Sequence, residues 1–116
     1  MATVDACREA VDELAGMLAD LPPDERARHV PDRTVACRLS DLDCWFVGRM
    51  DADGVHDVEF VGADEPAADV RVTMTSDELV ALAAGEDDFL HAWLRGRVQV
   101  SASVRDLLRL RSLFGL

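Results

Sequence analysis

The chain has 116 residues, 49% of them hydrophobic, with 23 acidic against 12 basic side chains and a net charge of −11. That length supports one hydrophobic core and is too short for two, so residues 1–116 are expected to form one domain. A surface this acidic repels phosphate backbones and anionic headgroups, which argues against nucleic acid as a partner. No run of eighteen apolar residues is present to span a bilayer.

Met1–Asp5 has neither the basic flank nor the apolar core of a secretory signal. Phe114-Gly115-Leu116 is not a peroxisomal address, so a cytoplasmic protein without stable membrane insertion is expected. Val4, Cys7, Val11, Leu14, Leu18 and Leu21 recur at three- and four-residue steps and draw one apolar stripe on a first helix. Pro22-Pro23 stops that helix, and Asp24 to His29 suits one further short helical turn. Thr34–Leu39 alternates as a strand with Val35, Cys37 and Leu39 on one side. Ser40–Asp43 is a turn, Cys44–Met50 a second strand, Asp51–Gly54 a tighter turn and Val55–Val61 a third strand. Cys7, Cys37 and Cys44 are an odd number with no CxxC spacing, which suits reduced, buried thiols.

After a loop at Gly62 to Ala68, Asp69–Met74 reads as a fourth strand. Thr75-Ser76-Asp77-Glu78 follows as a capping box, in which Thr75 caps and Glu78 reaches back. The helix it opens ends at Gly85, and a second short helix, begun by Glu86-Asp87-Asp88, ends at Gly96. Arg97–Ala102 is a fifth strand, and Val104–Phe114 a closing helix. The expected class is α+β, a five-stranded, mostly antiparallel sheet with helices packed on one face. In the closing helix Arg111 projects into the apolar arc of Val104, Leu107, Leu108, Leu110 and Phe114. Either its stem lies on apolar surface with the guanidinium in water, or it clamps an anionic group such as a fatty-acid carboxylate.

Several of these segments carry a family pattern. Val70-x-Val72-x-Met74-Thr75 precedes Asp77, and Leu79-x-x-Leu82-x-x-Gly85 follows. Ala92-Trp93-Leu94-Arg95-Gly96-Arg97-Val98 and Leu108-x-Leu110-x-x-Leu113-Phe114 complete it. The pattern resembles the sterol carrier protein type 2 (sterol-binding domain) family, in its stand-alone bacterial form. The resemblance is densest from Asp69 to Phe114. The family's Asn-Pro is replaced here by Glu86-Asp87-Asp88.

The resemblance implies a soluble, non-enzymatic carrier that encloses a hydrophobic small molecule (fatty acid, acyl chain or sterol-like lipid) and needs no cofactor. The candidate ligand-binding residues are Phe46, Phe60, Val72, Met74, Leu82, Phe89, Trp93, Val100, Leu107, Leu110, Arg111 and Phe114. The alternative is that these residues fill a solid core and that the protein is an interaction module, monomeric or weakly dimeric. An empty cavity of ~300 Å³ would cost roughly 7 kcal/mol at ~24 cal/mol per Å³, so a carrier is expected to collapse, loosen or retain lipid. No catalytic constellation is expected. His29, His56 and His91 share no metal spacing with the cysteines, and the sequence has no phosphate loop or nucleophile elbow.

Overall fold

The computed structural model of the chain describes residues 1–20, 24, 32–51 and 54–113, with 18–19 and 109–113 described as backbone only. The expected stop at Pro22-Pro23 and the turn from Asp24 to His29 lie outside the described residues, apart from Asp24. The elements run α1 (Val4–Ala19), β1 (Arg33–Leu39), β2 (Cys44–Asp51), β3 (Gly54–Gly62), β4 (Val70–Met74), α2 (Ser76–Ala83), α3 (Phe89–Leu94), β5 (Gln99–Ser101) and α4 (Val104–Leu113). The α+β class and the five strands are as the periodicities predict.

The strand order is β3-β2-β1-β4-β5. β1–β2, β2–β3 and β4–β5 pair antiparallel, whereas β1 and β4 pair parallel, with Cys37 opposite Val72. Hairpins link the first three strands, and Asp43 turns the first at φ 47°, a left-handed conformation that aspartate tolerates. The parallel step needs a crossover, supplied by residues 63–69 between β3 and β4.

Alternation sends Val35, Cys37 and Leu39 of β1 to the same face as Cys44 and Phe46 of β2 and as Val70, Val72 and Met74 of β4. Cys7 and Ala10 of α1, Leu79, Leu82 and Ala83 of α2, and Ala92 of α3 complete the buried cluster with Val98. α1 packs mainly on α2 and also reaches β3.

The other face carries Arg38, Arg49, Arg71, Thr73 and Gln99, yet Ala36 is wholly buried there and Trp45 is only 6% exposed. The crossover runs over this face, where Glu65 pairs with Arg71 at 2.9 Å.

Both short helices stop as expected. The N–H groups of Gly85 and Glu86 donate to Leu82 and Ala81, and those of Gly96 and Arg97 to Trp93 and Ala92. Gly85 and Gly96 have φ of 76° and 79°, where a Cβ would be strained.

The capping box is half made. Thr75 Oγ1 accepts the Glu78 N–H at 3.2 Å, but the Glu78 carboxyl is turned toward Arg97, with 3.4 Å between Oε1 and Nε. Burial, then Asp87, push the Glu78 carboxyl above its usual range. Asp87, hydrogen-bonded to Glu78 and Arg97, is held below its own. Helix α4 repeats the pattern: Ser103 Oγ accepts the Asp106 N–H at 3.2 Å, while the Asp106 carboxylate accepts from Arg33 Nε at 3.0 Å. In both helices an arginine from outside the helix has outcompeted the local backbone for the acidic residue.

A second polar tie holds the top of the sheet to α2. Asp41 accepts the Ser76 N–H at 2.8 Å and the Ser76 hydroxyl at 2.6 Å, and that hydroxyl accepts the Ala2 N–H at 2.9 Å. Ser76 is fully buried, so removing Asp41 leaves two donors without a partner. The Ser76 hydroxyl chiefly holds the Asp41 carboxyl below the usual aspartate range. A depressed carboxyl contributes stability above its unfolded pKa and loses it as pH falls through the folded one. Asp41→Ala should therefore destabilise by about 1–2 kcal/mol at pH 7, the exposed carboxylate being screened. The gap from wild type should narrow as pH drops below about 4. Urea unfolding at pH 7 and at pH 3 checks this, and a gap independent of pH would refute it.

Candidate ligand-binding site

The registers assemble one row of side chains across the sheet on its helical face. Phe60 of β3 stands opposite Phe46 of β2, Phe46 opposite Cys37 of β1, Cys37 opposite Val72 of β4, and Val72 opposite Val100 of β5. Every strand contributes one residue, so the row is about 19 Å long at ~4.8 Å per strand. All five are apolar, a thiol behaving as a small hydrophobe. Phe60 and Phe46 meet edge to face at 5.4 Å. From the helical layer Phe89 and Trp93, one turn apart on α3, meet at 6.1 Å and pack against the same cluster.

Four of the residues expected to bind ligand thus share this row: Phe46, Phe60, Val72 and Val100. Met74 and Leu82 are buried near it, and Phe89 and Trp93 are half-buried against it. Leu107 is half-buried on α4. The side chains of Leu110 and Arg111, and all of Phe114, lie outside the described residues.

Sequence reasoning left Cys37 off the ligand-binding set, although its phase beside Val35 and Leu39 was legible. It lies mid-strand in the central strand, yet its side chain is not fully enclosed. Burial nonetheless pushes its thiol up to about 12, with Cys7 and Cys44 adding to the rise. Val35 and Val100, on the same face, are likewise only half-buried.

At the β3 end the row opens into a cleft of about 420 Å³ between α1 and the edge strand, lined by Arg8, Asp12, Phe46, Val58, Glu59 and Phe60. Phe60 remains 41% exposed there. That volume is in the range of small-molecule sites. A second concavity, about 480 Å³, is lined by Arg38, Ser40, Thr73, Met74, Thr75, Glu78, Gly96, Arg97 and Gln99, so both hollows mix charged and apolar groups.

Among the described residues, no group of three histidine, cysteine, aspartate or glutamate side chains is placed to hold a metal ion. His56 Nε2 lies 2.8 Å from Asp51, and His91 Nδ1 3.3 Å from Asp87, both in surface networks. No helix among the described residues is long and apolar enough to cross a membrane.

The α+β arrangement has counterparts among solved structures. A palmitated sterol carrier protein 2-like 2 from Aedes aegypti matches with a TM-score of 0.65 and 11% identity, covering 99% of this chain and 96% of that one. A sterol carrier protein 2 matches with a TM-score of 0.64 and 13% identity over 90% of both chains. This chain therefore has the sterol carrier protein 2 fold, as the sequence resemblance implies. The stereoselective inverting sec-alkylsulfatase Pisa1 from Pseudomonas sp. is similar at 26% identity and a TM-score of 0.57, over 89% of this chain but 15% of that enzyme. The chain thus spans only a small part of the sulfatase's length. No family model matches the chain, and no curated protein does.

Proposed function

We propose that the protein binds a hydrophobic small molecule (fatty acid, acyl chain or sterol-like lipid) between sheet and helices, as a carrier without catalytic activity. The observation that carries this reading is the incomplete enclosure of Cys37 at the centre of an otherwise apolar row. A packed core would close over the middle of its central strand, because interiors approach crystal density. The palmitate on the Aedes neighbour supports an acyl chain as one fitting occupant.

A second reading has its own support. The likeness to a small part of the sulfatase, together with Leu94 at 74% and Val104 at 75% exposure, favours a module that packs on another protein surface.

Native mass spectrometry of freshly purified protein separates the two. On the carrier reading a stoichiometric excess mass disappears on denaturation and extracts as lipid. A bare polypeptide mass, with no melting shift from palmitate or a sterol, would overturn it and leave the module.

A further inference from the structure

The face of the sheet away from the helices carries a row of its own. Trp45 of β2 stands opposite Arg38 of β1, Arg38 opposite Thr73 of β4, and Thr73 opposite Gln99 of β5. Cross-strand partners project to one side of a sheet. A guanidinium, a hydroxyl and a carboxamide therefore follow one another over about 10 Å, at ~4.8 Å per strand. All three line the concavity of about 480 Å³, a volume in the range of small-molecule sites.

Other polar groups around this hollow are already engaged. Arg97 is held by Asp87 at 2.8 Å and lies 3.4 Å from Glu78. The Ser40 hydroxyl donates to the Met74 carbonyl at 3.4 Å, and Thr75 Oγ1 accepts the Glu78 N–H. The row is not engaged in this way. Thr73 and Gln99 make no side-chain hydrogen bond among the described residues. Arg38 reaches Asp43 at 3.4 Å, and the Asp43 side chain is 74% exposed. A contact that long and that wet contributes little and is readily exchanged.

We propose that this row is a second binding site, for a small hydrophilic carboxylate: Arg38 takes the carboxylate, and Thr73 and Gln99 meet hydroxyl groups further along the ligand. The site is separate from the apolar row, and its ligand is of a different class from a lipid. The planar guanidinium fork matches the two oxygens of a carboxylate. One loosely paired guanidinium offers one positive charge, which suits a monoanion. A phosphate dianion would bring a charge in excess, close to the Glu78 and Asp43 carboxylates. With a screening length of about 8 Å, the adjacent guanidinium outweighs distant acids, so a net charge of −11 does not exclude a monoanion. Thr73 and Gln99 can each donate and accept, as a hydroxyl requires of its partners. An acyl chain would take both out of water without a hydrogen bond, which is costly.

The test titrates the intact, isotope-labelled protein at neutral pH and constant ionic strength with four probes. Gluconate has both the carboxylate and the hydroxyls, glucitol lacks the charge, hexanoate lacks the hydroxyls, and inorganic phosphate carries the second charge. The resonances of the Gln99 side-chain amide and the Arg38 Nε–H report on the site. Gluconate should shift both to saturation and bind roughly ten- to a hundredfold more tightly than glucitol, the range of one hydrogen bond to a charged group. It should also bind more tightly than hexanoate or phosphate. Arg38→Gln should lose the advantage of gluconate over glucitol. Glucitol or hexanoate matching gluconate, tighter binding of phosphate, or shifts that never saturate would overturn the site. The wild-type comparison needs no variant, so a misfolded Arg38→Gln does not obscure the result. Failure here leaves the carrier reading standing, since palmitate binding tests that reading separately.

Discussion

Replacing Trp45 by alanine should cost about 3–5 kcal/mol of folding stability and leave hydrophobic ligand binding unchanged. Trp45 is 6% exposed but stands opposite Arg38, on the face of the sheet away from the helices. Trp45 also stands opposite Gly62, where β3 ends and the 63–69 crossover begins, and truncating so buried an indole leaves a void that a sheet cannot close. Trp93 should behave in the opposite way. It is half-buried on α3 against the apolar cluster, so Trp93→Ala should lose less stability and weaken ligand binding more. Urea unfolding paired with probe displacement on both variants checks the contrast. If Trp45→Ala stayed folded but lost the ligand, the site would have to lie on the polar face.

Leu79→Ala should lower stability by about 2–5 kcal/mol. Leu79 is 2% exposed on α2, within the cluster that joins α1, α2 and the sheet. Against a total of about 5–15 kcal/mol this is a large fraction, and the melting temperature should fall roughly 4–8 °C for each kcal/mol lost. Leu94→Ala, at 74% exposure, is the control and should stay within about 0.5 kcal/mol of wild type. A melting temperature unchanged in Leu79→Ala would mean that α2 is not part of the cooperative core.

The contrast between local and tertiary forces runs through the legible and illegible parts of the fold. The strands at Thr34–Leu39 and Cys44–Met50 and the stops at Gly85 and Gly96 were readable, because alternation and left-handed caps are properties of neighbouring residues. The role of Thr75 as a cap was readable for the same reason. The role of Glu78 was misread, since Arg97 lies nineteen positions away and no local pattern announces it. Asp106 gave no signal either: a lone acid in the first turn of α4 is ordinary, and its partner Arg33 is seventy-three positions distant. Phe46, Phe60, Val72 and Val100 could be named as apolar from the sequence, but their alignment in one row depends on four strand registers.

The amino-acid sequence by itself determined the elements, their inward faces and the resemblance to the sterol carrier fold, all of which follow from spacing along the chain. Only the tertiary structure decided that β4 joins β1 in parallel, that Trp45 is buried on the polar face and that Cys37 stays half-buried in the central strand. It also set the Asp106 carboxylate against Arg33. These are matters of which distant residues meet, and pairing across a sheet is settled by the collective burial of its strands rather than by any one segment.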